Sequence, residues 1–123
     1  MGSFGERIRP AVNDELQAAI HAEVSGSDTD SFRHLERAHV LGQASTVQHV
    51  RVHLAMLRWA LRRRAHREAA GQVLRIVGAA TKTAFGWIPA GNTGGSNVRA
   101  TKSMPIAAEL QALLDRAHGR DVR

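Results

Sequence analysis

The sequence contains no cysteine and no tyrosine, and aromatic residues make up only 4% of its 123 residues. The absence of cysteine excludes disulfide scaffolds, thiolate metal sites and cysteine nucleophiles together. Hydrophobic residues nevertheless make up 43% of the chain, which is enough for a packed core and argues against extended disorder. A core built mainly from Ala, Leu, Val and Ile indicates closely packed helices in a single domain, residues 1–123.

Long apolar runs are also missing. The longest uncharged stretch, residues 83–98, is too short and too rich in glycine to cross a bilayer. The first ten residues, MGSFGERIRP, lack the apolar run of a signal peptide. We therefore expect a cytoplasmic protein without a transmembrane segment.

Apolar residues recur at helical spacing through most of the chain, and no segment alternates as a strand does. The spacing predicts a helix over 6–24, a second that follows a turn at 25–31, a third over 46–64 and a fourth over 66–84. Pro10 either opens the first helix or kinks it. Gly42 is typical of a helix stop, and Ser45 with Gln48 forms a capping box that starts the third helix.

After the fourth helix the pattern changes. Residues 85–104 have no period and form a predicted irregular loop, and residues 105–118 form a C-terminal helix. The fold class is therefore all-α: a compact bundle of four to five helices built from helical hairpins, with a long Gly-rich loop before the last helix. The residues expected to face inward on the first, fourth and last helices are Ile8, Val12, Leu16, Ala19 and Ile20; Ala69, Val73, Ile76, Val77 and Ala80; and Ile106, Leu110, Leu113 and Leu114.

The predicted third helix is apolar on more than one side, taking about 100° per residue. One stripe contains Val47, Val50, Leu54, Leu57 and Leu61, and a second stripe beside it contains His49, His53 and Met56. Arg51, Arg58 and Arg62 lie on the opposite flank. A helix of this kind is central in a bundle, so the histidine stripe should face another helix.

Three histidines lie close to the turn between the second and third helices. In an antiparallel hairpin, residues equidistant from the turn lie level with each other. His39 and His49 are symmetric about residue 44, and Glu36 and His53 are nearly so. Glu36, His39, His49 and His53 therefore form a candidate cluster between the two helices.

Imidazole nitrogens and a carboxylate are ligands for divalent transition metals, and the pattern does not distinguish Zn, Fe, Cu, Ni or Mn. His49 and His53 at i, i+4 can share one ion, with Glu36 as a fourth ligand or as a group that orients an imidazole. HVRVH lacks the glutamate of the zinc-protease helix, so that function is disfavoured. The alternative is structural: His39 satisfied by Glu36, and the other two bonded to backbone or water.

Basic residues outnumber acidic ones by 17 to 11, a formal charge of +6, which permits an acidic protein partner. Nucleic acid is disfavoured, because the helix-turn-helix pattern fails at Arg37 and Gln48. The candidate anion or partner contacts come from RWALRRRAHR and GNTGG and are Arg62, Arg63, Arg64, Gly91, Asn92, Gly94 and Gly95. The alternative is a solvated helix end followed by glycines that only turn the chain.

Four segments together resemble a known family: FRHLERAHVLGQAS, HVRVH, RIVGAATKT, and GNTGGSNV followed by MPI. The family consists of small bacterial proteins catalogued only as a domain of unknown function and noted for an HVRVH motif. The resemblance covers most of the chain. It implies a compact bacterial domain, and it carries no activity over to this sequence.

No serine–histidine–aspartate set and no paired-carboxylate site stands out, so an enzyme is neither indicated nor excluded. The leading hypothesis is a small helical protein that binds a transition metal as a sensor, carrier or resistance accessory. The alternative is a helical-repeat-like interaction module that has a basic surface and no metal. Nothing in the pattern indicates the oligomeric state.

Overall fold

Five helices make up most of the part of the chain that the computed structural model describes, residues 2–82 and 105–119, with only the backbone described at 66, 77 and 79–82. The helices are α1 (Phe4–Val24), α2 (Asp28–Gly42), α3 (Thr46–Arg62), α4 (His66–Lys82) and α5 (Ala108–Ala117). No strand occurs in these two ranges. The all-α prediction is confirmed, whereas the predicted loop over 85–104 lies outside the described residues.

Helix α1 begins earlier than the apolar spacing predicted. Ser3 and Glu6 form a capping box, in which Glu6 N–H donates to Ser3 Oγ and Ser3 N–H donates to the Glu6 carboxylate at 2.8 Å. The helix then continues through Pro10, so Pro10 does not open it. Residues 4–10 thus belong to α1.

The two turns that follow determine where α2 and α3 lie. Gly26 has φ of +87°, and Ser27 caps α2, which begins three residues before the predicted turn ends. Helix α2 stops at Gly42 as predicted, and Ser45 caps α3 by accepting from Gln48 N–H at 3.4 Å. The reciprocal bond of the predicted capping box is not formed. The Gln48 side chain is buried and instead bonds to the Gly5 carbonyl and Arg51.

The helices pack as two hairpins, α1 with α2 and α3 with α4, which meet where α2 contacts α3. Helix α5 lies across α1 and α2, while α4 packs only against α3 among the described helices. The residues at the centre of the core are Ile8, Val12, Leu35, Ala38, Leu41, Val52, Met56, Leu110 and Leu114. None of the described helices is long and apolar enough to cross a membrane.

Four apolar residues do not lie where their spacing suggested. Ile20 and Val73, expected to face inward, are 55% and 50% exposed. Val47 and Leu61 are 67% and 58% exposed, so the long apolar stripe of α3 is not its buried face. Helix α3 buries Gln48, Val52, His53, Met56 and Ala60. On α4 the buried position beside Val73 is taken by Gln72, which bonds to His53.

Replacement of Gly26 and of Gly78 by alanine should change the free energy of unfolding in opposite directions. Gly26→Ala should lower the free energy of unfolding by about 1 kcal/mol, because L-residues disfavour positive φ. Gly78→Ala should raise it by about 0.5–1 kcal/mol, because Gly78 is inside α4 and a Cβ there meets nothing within 4 Å. Urea unfolding of both variants measures the difference. Changes of the same sign would contradict the backbone assignment.

Candidate metal centre

Three imidazole nitrogens meet between α2 and α3. His39 Nε2 lies 2.9 Å from His49 Nε2 and 3.1 Å from His53 Nε2, and the latter two are 3.1 Å apart. His39 and His53 are 3% and 2% exposed, and His49 is half-buried. The prediction that these three histidines come together between the two helices is confirmed.

The triangle has the dimensions of a set of ligands around one ion. Metal–nitrogen bonds of about 2.0–2.1 Å hold ligand nitrogens about 2.9 Å apart at right angles and about 3.4 Å apart at tetrahedral angles. The three observed separations of 2.9, 3.1 and 3.1 Å lie within this interval. Binding of one ion by all three nitrogens would therefore require little change in their separations.

Helix α4 fixes the proton on one of the three rings. Gln72, which is fully buried, lies with Oε1 2.5 Å from His53 Nδ1, and its Nε2 donates to Glu68 Oε1 at 2.8 Å. A carboxylate only accepts, so the Gln72 amide must direct its NH2 to Glu68 and its oxygen to His53. His53 Nδ1 therefore carries the hydrogen, and His53 Nε2 directs a lone pair into the triangle.

Burial keeps two of these rings neutral. It lowers the pKa of His49 to about 4, with a further contribution from the charge of His53. Burial also lowers the pKa of His53, and Arg75 acts in the same direction, while the Gln72 hydrogen bond and Glu68 oppose it. A metal binds the neutral imidazole, so both side chains are in the ligand-competent form near neutral pH.

Other residues near the cluster have separate roles. Among the described residues the group of convergent ligands contains the three histidines and no carboxylate, so Glu36, half-buried on α2, is not part of it. Glu36 as a fourth ligand stays a prediction. His34 bonds through Nδ1 to Glu15 Oε2 at 2.7 Å and so ties α2 to α1.

Two of the three consecutive arginines at the end of α3 form ion pairs within the chain. Arg62 bonds to both carboxylate oxygens of Glu23, at 2.8 and 3.1 Å, and Arg63 bonds to Asp28 at 2.6 Å. Arg64 is exposed and has a positive φ of 54°. Arg62 and Arg63 thus hold α3 to α1 and α2, which does not test their predicted role as partner contacts. Gly91, Asn92, Gly94 and Gly95 lie outside the described residues.

Glu68, Gln72 and Arg75 were missed by the sequence reasoning, although all three act on His53. The sequence does contain one indication of this group. Gln72 is a polar residue at helical spacing between Ala69 and Ile76, on a face where the prediction considered only apolar residues. Gln72 lies three residues after Ala69, and Glu68 lies one turn before Gln72. This spacing identifies the pair once α4 is known to face the histidines.

The family membership of the chain follows from its sequence. A family model described as "Protein of unknown function (DUF3703)" matches residues 6–114. The chain belongs to this family. The DUF3703 match includes the three histidines, Glu68 and Gln72, while the curated proteins and the solved structures gave no match. The predicted resemblance to a family of unknown function is confirmed. That HVRVH is the family's characteristic motif, and that the family is bacterial, stay predictions.

Proposed function

We propose that the protein binds one divalent transition-metal ion through the Nε2 atoms of His39, His49 and His53. The observation that carries the proposal is the mutual contact of these three atoms at 2.9–3.1 Å between helices α2 and α3. The bond from His53 Nδ1 to Gln72 supports it, because a metal-binding histidine typically donates its other ring N–H to an oxygen.

A purely structural role explains the triangle less well. In a neutral imidazole each Nε2 is either a hydrogen-bond donor or an acceptor. Among three such atoms at least two must be alike, so at least one of the three contacts joins two donors or two acceptors. His53 Nε2 is an acceptor, and it can be matched with both neighbours only if they are both donors facing each other. A cation bound by all three nitrogens removes this conflict, because each then acts as an electron-pair donor to it.

The donor set favours some metals over others. Imidazole suits Zn²⁺, Cu²⁺, Ni²⁺ and Fe²⁺, whereas Mn²⁺ prefers carboxylates. Three protein ligands also leave at least one coordination position for Glu36, water or another small ligand. His49 is the most exposed of the three rings, so an ion exchanges past it most directly. This arrangement suits a sensor, carrier or resistance accessory, and a cytoplasmic location remains a further prediction.

Thermal unfolding with and without metal tests the proposal. Untagged protein stripped of metal should gain about 2.7 kcal/mol at an ion concentration a hundred times the dissociation constant, for Zn²⁺, Cu²⁺, Ni²⁺, Fe²⁺ or Mn²⁺. Calorimetric titration should give one ion per chain. His49→Ala should abolish the gain, because two histidines remain.

The matched control is His21→Ala. His21 is exposed in the last turn of α1 and lies outside the histidine group, whereas His34 pairs with Glu15 and would confound the comparison. The control should respond to metal as the wild type does. If no ion raises the midpoint of the wild type, or if the His21 and His49 variants respond alike, the histidines do not bind metal.

A further inference from the structure

The outward face of α3 carries an apolar stripe that the described helices cover only in part. Its members are Val47, Val50, Leu54, Leu57 and Leu61, of which Val47 is 67% and Leu61 58% exposed while the other three are half-buried. The spacing alternates between three and four residues, as in the seam of a coiled coil. The stripe spans 14 residue steps, or about 21 Å of helix. A solvent-facing helix surface is usually polar, so this stripe is suited to a partner.

Arginines flank the stripe on the side that faces α1. Arg51 bonds to the neutral oxygens of Gln48 and Asn13, at 2.6 and 2.9 Å. No ion pair within the described ranges involves Arg51 or Arg58, whereas Arg62 is paired with Glu23. Two positive charges beside the stripe therefore have no carboxylate partner there.

A groove continues the surface beyond the arginines. It has a volume of about 870 Å³ and lies between α1, α2 and α3. Leu54, Arg51 and Arg58 line it from α3, and the half-exposed Ile20 lines it from α1. Leu54 belongs to both the stripe and the groove, so large side chains of a helix lying on the stripe can enter the groove.

We propose that this surface of α3 docks an amphipathic helix of a partner protein, with apolar residues on the stripe and acidic residues facing Arg51 and Arg58. In this binding mode one helix packs on another, and charged residues flank the apolar contact. The complementarity of these charges determines which partner binds. The surface is separate from the three histidines, which lie on the buried side of α3.

Charge disfavours the other occupants of this surface. The chain's own residues 83–104 contain Arg99 and Lys102 but no acidic residue. A second copy of α3 in antiparallel orientation places arginine against arginine. In parallel orientation the positions opposite the arginines are those of Thr46, His53 and Ala60; none is acidic, and the last two are buried in the bundle. A lipid surface is disfavoured because the stripe has no aromatic residue to anchor it.

The test uses two synthetic helical peptides of 21 residues with leucine at the seam positions. One has glutamate and the other lysine at the flanking positions, and fluorescence anisotropy at low salt measures their binding to the full-length protein. The glutamate peptide should bind at least about tenfold more tightly than its lysine twin. Arg58→Glu should abolish the preference, because Arg51 and the new carboxylate then cancel, and Leu61→Asp should weaken both complexes. The control Leu74→Asp, at a 75% exposed position on α4, should change neither.

Each remaining outcome overturns the proposal. Equal binding of the two peptides, or equal effects of Leu61→Asp and Leu74→Asp, would remove the role of the stripe and its charges. A dimer in analytical ultracentrifugation that Leu61→Asp dissociates would assign the surface to a second copy of the chain. Binding to phosphatidylserine vesicles that depends on Leu61 would assign it to a lipid surface. Urea unfolding of each variant verifies that the fold is retained.

Discussion

Replacing His39 with leucine should remove the response to metal while leaving the metal-free protein close to wild-type stability. His39 is 3% exposed, so an apolar side chain of similar size keeps its buried site filled. The substitution also removes one corner of a triangle in which two nitrogens must be alike. We expect the free energy of unfolding in the presence of a chelator to change by less than about 1 kcal/mol. At a metal concentration a hundred times the wild-type dissociation constant, the variant should be about 2.7 kcal/mol less stable than wild type.

The comparison separates a metal ligand from a structural histidine. If His39 serves only as a hydrogen-bond partner for His49 and His53, leucine leaves buried polar atoms unsatisfied, which costs about 1–3 kcal/mol. That loss would be the same with chelator and with metal. Urea unfolding of both proteins under the two conditions distinguishes the outcomes, and an equal loss in both would contradict metal ligation.

The histidine triangle was predictable because it depends on local features. A helix stop at Gly42 and a cap at Ser45 leave a short turn, and a short turn requires α2 and α3 to pack antiparallel. Counting outward from the turn then places His39 opposite His49. No knowledge of α1, α4 or α5 is needed. The same counting placed Glu36 level with His53, but being level on a hairpin does not determine whether a side chain turns towards its neighbour.

The contribution of α4 was not predictable in the same way. Gln72 reaches His53 only because α4 packs on the side of α3 that carries the histidines. Helical spacing alone assigned Val73 to the interior, because it ranks an apolar residue above a polar neighbour. The structure buries Gln72 completely and leaves Val73 half exposed. A buried imidazole N–H without a hydrogen-bond acceptor costs more free energy than a half-exposed valine side chain.

The apolar stripe of α3 shows a second limit of prediction from the sequence. Its spacing was visible, and apolar spacing on a helix normally indicates the buried face. Helix α3 has two such faces, and the described helices bury the one that carries Val52, His53 and Met56. Which one is covered depends on the packing of the whole bundle. The exposure of Val47 and Leu61 therefore becomes informative about partners only once the fold is known.

The stability of the metal-free protein should fall steeply as the pH decreases from about 6.5 towards 4. In the unfolded chain a histidine takes up a proton near pH 6.5. In the folded protein burial lowers the pKa of His49 to about 4 and also lowers that of His53. Between these pH values the unfolded state binds more protons than the native state, so acid favours unfolding. Each such histidine contributes a slope of about 1.4 kcal/mol per pH unit, and His49 alone a total on the order of 3 kcal/mol.

The groups that face these rings from the surrounding helices determine the slope. They are His39 from α2, and Glu68, Gln72 and Arg75 from α4. Between pH 5 and 7, His49→Gln should reduce the slope of the unfolding free energy against pH by about the contribution of one proton. His21→Ala, at an exposed position, should leave this slope unchanged. A saturating metal should change the wild-type slope little, because burial already keeps His49 and His53 neutral and the ion displaces few protons from them. Urea unfolding at half-unit pH steps measures all three, and a profile that is flat from pH 7 to 5 would contradict neutral buried histidines.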